Sequence, residues 1–125
     1  MQFTTKTDVN SNLRIHTVEG ELDKEALINQ LQKIYSNPDY DPKMNVVWDL
    51  RKADLTAFSY LQIEEVGDFV GKKLGFQGQS KVALIVTRDV DYGLTHILKM
   101  LMEGTSFLKI QTFRNYDDGL KWAQS

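Results

Sequence analysis

The sequence contains no cysteine. That absence removes disulfides, thiolate nucleophiles and sulfur-ligated metals, and it fits a cytoplasmic compartment. Proline is nearly missing as well, with two in 125 residues, so the chain lacks the composition of a linker or disordered tail. There is no excess of positive charge: 15 Lys and Arg against 17 Asp and Glu leave a formal net charge of -2. With a pI near 5.6, no basic face is available to displace counterions from phosphates, so nucleic acid is not expected as a partner. No run approaches the roughly 18 apolar residues of a membrane span. The opening Met1-Gln2-Phe3-Thr4-Thr5-Lys6 has no apolar segment followed by a small-residue cleavage site, as a secretory leader would.

What remains is the composition of an ordinary folded protein, 42% hydrophobic and 26% charged. A chain of this length buries about two thirds of its unfolded surface, so a single domain over residues 1–125 with one core is expected. The cluster Asn10-Ser11-Asn12 separates two extended pieces and predicts a hairpin. In the second piece Leu13, Ile15 and Thr17 share one face while Arg14, His16 and Val18 share the other, the period-two pattern of a strand with a wetter side, ending at Gly20. Asp23 is placed to cap a helix in which Leu27, Ile28, Leu31, Ile34 and Tyr35 recur at helical spacing, and Asn37-Pro38 through Asp41-Pro42 stops it.

The middle of the chain holds two similar units. Val46-Val47-Trp48-Asp49-Leu50-Arg51 leads through a polar connection to Ser59 and a helix with Ile63, Val66, Val70 and Leu74 on one side, closed by Gly75 and Gly78. The unbroken apolar strand Lys81 to Thr87 leads into a helix with Leu94, Ile97, Leu98 and Leu101 inward and His96, Lys99 and Glu103 outward. Successive strand-to-helix units imply parallel strands with crossover helices, and ligands of such sheets sit beyond the carboxyl ends of the strands. A strand from Phe107 to Phe113 and a short helix with Leu120 and Trp122 complete the order. The expected fold is a layered α/β structure: a mixed five-stranded sheet, an amino-terminal antiparallel hairpin plus parallel strands, covered by four helices.

Chemical signatures are few. Gly67 to Lys73 imitates a phosphate-binding loop but has the wrong glycine spacing and lies inside a helix, where no free N–H groups exist to cradle phosphate. His16 and His96 lie on different elements with no second ligand at metal spacing and read as surface or half-buried structural residues, so no metal and no cofactor is expected. No Gly-x-Ser-x-Gly elbow is present. Ser59-Tyr60-Leu61-Gln62 matches a capping box. A hydroxyl at a helix start is also well placed to accept a phosphate, because the positive helix end stabilises the added charge; the cap alone accounts for the pattern. Arg51, Arg88, Asp49, Asp89, Asp91 and Tyr92 are expected to gather at the carboxyl edge, where the arginines either hold a small anion or pair locally, for example Arg88 with Asp91, with Asp89 or Asp91 as a helix cap. Met100 and Met102, with Phe58 and Phe69, widen the apolar helix faces. Such faces are either deeper core, a dimer surface or a groove for an apolar ligand.

Val46-Val47-Trp48-Asp49-Leu50, Asp91-Tyr92-Gly93-Leu94 and the closing stretch Phe113 to Trp122 resemble the SpoIIAA-like group of small bacterial proteins, which have the STAS-domain fold. The resemblance covers nearly the whole chain in element order. It implies a regulatory domain like the anti-sigma-factor antagonists, whose Asp-Ser-Ser-Gly motif falls here on Ala57-Phe58-Ser59-Tyr60, leaving Ser59 as the sole matching residue and phospho-acceptor. The same shape is likened to lipid-transfer domains of the CRAL-TRIO type, which implies an apolar ligand. The resulting expectation is a non-enzymatic cytoplasmic regulatory or protein-interaction domain, a homodimer with a protein partner. The alternative is a carrier or sensor of a small apolar or anionic ligand. A third reading is an enzyme that uses strand-end carboxylates.

Overall fold

A computed structural model of the protein describes residues 1–74, 80–103 and 108–125. The roles expected for Gly75 and Gly78, and a strand start at Phe107, lie outside the described residues. The elements run β1 (Gln2–Asp8), β2 (Leu13–Glu21), α1 (Lys24–Ser36), β3 (Asn45–Asp54), α2 (Tyr60–Leu74), β4 (Lys81–Ile85), α3 (Asp89–Glu103), β5 (Lys109–Phe113) and α4 (Tyr116–Gln124).

Local chemistry sets most boundaries. The hairpin turn uses Asn12 at φ 52°, a conformation that asparagine tolerates, and the Asp8 carboxylate accepts from the Ser11 amide and hydroxyl. Asp23 caps α1 by accepting from the Ala26 amide at 2.8 Å, and Asn115 caps α4 through the Asp118 amide at 3.1 Å. The Ser59 capping box forms in both directions, Gln62 N–H to Ser59 Oγ at 3.3 Å and Ser59 N–H to Gln62 Oε1 at 3.1 Å, as the sequence pattern requires. β2 runs through Gly20 instead of stopping there. Gly20 takes φ 92°, a conformation that glycine adopts at low cost, just after a register shift between Thr17 and Glu19.

The sheet order is β1-β2-β3-β4-β5, with β1 and β2 antiparallel and all other neighbours parallel. Strand order equals sequence order, and right-handed crossovers that always step in one direction put their helices on one face. Accordingly α1, α2 and α3 share a face, packed on Val18, Leu50 and Val86. The opposite face, with Leu13, Val47, Ala83 and Ile85, is covered by α4 through Ala123, Leu120 and Trp122. Phe69, which falls off the apolar stripe of α2, stacks on Tyr35 of α1 with ring centroids 6.4 Å apart, so it belongs to the helix–helix seam.

Candidate functional site

Two places collect the chemistry of the chain: the carboxyl edge of the strands and the interior beneath α1, α2 and α3. At the edge, both arginines singled out by the sequence are engaged with carboxylates. Arg51 donates from Nε and Nη2 to the two Asp49 oxygens at 2.9 Å each, and its guanidinium lies 4.7 Å from the centre of the Tyr116 ring. Burial raises the Asp49 pKa, but the Arg51 hydrogen bonds and charge outweigh it and hold the carboxyl below its ordinary value. Arg88 grips Asp91 in the same two-pronged way, at 2.8 and 2.9 Å, and reaches Asp54 at 3.7 Å. Tyr92 lies beneath Arg114, 4.6 Å from guanidinium carbon to ring centre, and parallel to His96. The edge is therefore a set of closed ion pairs. The edge also carries apolar side chains: Tyr60 and Leu61, next to Ser59 at the start of α2, and Val90 at the start of α3 are each more than half exposed.

The interior holds a cavity of about 140 Å³, and strand register gives its floor. Arg14, Val46, Val82 and Ile110 form one row across β2 to β5, and His16, Trp48 and Leu84 form the next across β2 to β4. The walls come from Leu31 and Tyr35 of α1, Ile63, Val66 and Val70 of α2, and Leu94, Leu98 and Met102 of α3, with Tyr40 and Ser80 near the strands' amino ends. Among the described residues no Asp or Glu lines it. Such a space, apolar with a few convergent polar groups, is what small-molecule sites look like.

The polar groups are unusual in their burial. His16 is 2% exposed and Arg14 is 8% exposed, so the expectation of a wetter β2 face and a surface or half-buried His16 is corrected. Alternation reports which side chains share a face, not whether a helix covers it. His16 Nδ1 shares a hydrogen bond with Thr5 Oγ1 at 2.9 Å, and its ring packs on Trp48 at 4.5 Å between centroids. Burial, helped by the nearby Arg14 charge, lowers its pKa from 6.5 to about 4, so the imidazole is neutral at pH 7. Burial likewise pushes the Tyr40 hydroxyl up to about 12 and the Tyr35 hydroxyl higher still. The methionines of α3 separate: Met102 is core at 1% exposed while Met100 is 60% exposed. Sequence reasoning missed Arg14 altogether. The available signal was the unbroken Val46-Val47-Trp48 run beside it, which marks a doubly covered strand whose neighbour shares that cover.

Among the described residues no group of three or more His, Asp or Glu stands close enough to hold a metal ion, and no helix is long and apolar enough to cross a membrane. No family model and no curated protein matches the sequence. Among solved structures, an uncharacterised DUF3478-family protein from Shewanella loihica PV-4 is similar at a TM-score of 0.61 and 16% identity, over 98% of this chain and 92% of that one. That protein has a SpoIIAA-like fold. At this level of identity the likeness concerns the fold, and element order, sheet pairing and helix placement agree with it: the chain has a SpoIIAA-like fold.

Proposed function

We propose that the protein is a non-enzymatic cytoplasmic regulatory domain of 125 residues acting as one unit, which carries or senses a small apolar ligand in the cavity between its sheet and helices α1 to α3. The observation that carries this reading is the cavity itself, floored by four strands and walled by three helices, with no carboxylate among the described residues of its lining. Its size matches spaces that stay dry and accept a benzene-sized guest. The non-enzymatic part is supported by its titratable groups. His16 is held near 4 and Tyr40 near 12, so neither is tuned to exchange a proton near neutrality. Native mass spectrometry of gently purified protein, compared with the same sample denatured, tests the reading. Added mass that leaves on denaturation supports it, and a chain that stays bare and gains no thermal stability in toluene-saturated buffer overturns it.

A second reading rests on a different observation, the exposed Tyr60 and Leu61 next to Ser59 and the exposed Val90 at the start of α3. It makes the carboxyl edge a protein-contact surface, used in a homodimer or with a partner protein and switched by phosphate on Ser59. The ion pairs of Arg51 and Arg88 leave the apolar residues as the adhesive part of that edge. Leu61→Asp and Ser59→Asp should each abolish association in sedimentation velocity, and unchanged sedimentation coefficients across the variants would overturn this reading.

A further inference from the structure

We infer that the cavity takes a small carboxylic acid, with Arg14 as the anchor of its carboxylate; the inference rests on the cavity being a ligand site. The argument begins with the arginines of the chain, Arg14, Arg51, Arg88 and Arg114. The side chains of Arg51, Arg88 and Arg114 are 44 to 49% exposed, and each is ion-paired with a carboxylate. Physical chemistry demands the opposite priority, because an exposed guanidinium needs no partner whereas a buried one is costly without one. Arg14 is the buried one, 8% exposed. Among the described residues its contacts are one long hydrogen bond from Nη2 to the Asp39 carbonyl at 3.4 Å and the Tyr40 ring, 5.4 Å from the guanidinium carbon. Residues 75–79 and 104–107, outside the description, contain no Asp or Glu, so they add no carboxylate. A neutral carbonyl and a ring face leave Arg14, which lines the cavity, without a carboxylate partner among the described residues.

The missing partner is defined by that deficit. A monoanion balances one guanidinium, and a planar carboxylate matches its two-pronged donor geometry, as Asp49 and Asp91 do for Arg51 and Arg88. The rest of the acid must be apolar, since Leu31, Val66, Leu84 and Leu98 surround it, and about 140 Å³ limits it to roughly the size of benzene. Phenylacetate and hexanoate have these proportions.

The test is isothermal titration of the full chain with phenylacetate, phenyl phosphate and toluene. Phenylacetate should bind at least about tenfold more tightly than toluene. Arg14→Met should remove that preference while leaving toluene affinity unchanged, and should not lower the urea midpoint, because a buried charge is exchanged for an apolar chain. Arg14→Lys keeps the charge without the fork, is expected to retain part of the preference, and carries the test if Arg14→Met does not fold. Equal affinity for phenylacetate and toluene, or an unchanged preference in both Arg14 variants, overturns the anchor while leaving the cavity reading intact. Tighter binding of phenyl phosphate than phenylacetate overturns the assignment of a carboxylate. Failure of all three compounds to bind the unaltered protein overturns the cavity reading and the inference with it.

Discussion

The two faces of the sheet are covered in contrasting ways. On one side α4 alone lies against Val47, Ala83 and Ile85, all fully buried, and small residues bring it close: Ala123 has no exposure, and a Cβ on Gly119 would collide with Ile85. On the other side three helices close over the sheet with larger side chains between, including Trp48 of β3, Tyr35 of α1 and Phe58 before α2, and their junction leaves a void lined by Arg14 and His16. The same sheet thus supports one face built for density and another that gives up dispersion contacts and tolerates buried polar groups. A small-residue seam serves stability, whereas an imperfectly filled three-helix roof costs stability and makes room for a guest.

Acid should separate the faces most. His16 has its folded pKa lowered from 6.5 to about 4, so the unfolded chain binds the extra proton in that window. Its contribution is complete above pH 6.5 and is lost as pH falls towards 4, about 3 kcal/mol in all. Urea unfolding at pH 7 and pH 4 should show this loss in the natural sequence, and His16→Phe should remove most of the difference. Next in size is overpacking of the dense face: Gly119→Val should cost about 2 kcal/mol by urea unfolding at pH 7, because Ile85 and Phe113 stand in the way. At the carboxyl edge, away from both faces, Ser59→Ala breaks the capping box and should cost about 1 kcal/mol. The smallest effect has the opposite sign: Val66→Ile adds a methylene at the wall of the void and should gain about 0.5 kcal/mol while weakening toluene binding. Equal losses from Val66→Ile and Gly119→Val would erase the contrast between the faces.

Much of the framework was legible because its causes are local. Asp23, Asn12 and the Ser59-x-x-Gln62 pair act within a few residues of themselves, and the Arg88-x-x-Asp91 ion pair closes over an equally short span. Apolar periodicity found the strands and the inward sides of the helices, and strand-to-helix alternation gave the mixed sheet. What depended on long-range assembly was hidden. Arg14 and His16 alternate as residues of a wet face would, and only the one-sided winding of three crossovers puts helices above them. Met100 and Met102 are two residues apart on α3, about 200° around the helix, so a shared label of core or surface could not suit both. The cavity arises from how large side chains of three helices fail to interdigitate, which no single segment encodes.

The lone helix on the dense face has a consequence for motion. Asn45 ties it down by donating from its side-chain amide to the Ala123 carbonyl at 2.8 Å while accepting from the Lys81 amide at 2.8 Å, and the Lys81 ammonium donates to the Trp122 carbonyl at 3.2 Å. These bonds cluster at one end of α4, beside the starts of β3 and β4. Undocking of α4 would bare Val47, Ala83 and Ile85 together, so its opening is an all-or-none event, with Asn45 and Lys81 as the hinge side. Amide hydrogens of α4 should therefore exchange with a common opening free energy, below that of the central strands, while the roof over the cavity stays closed.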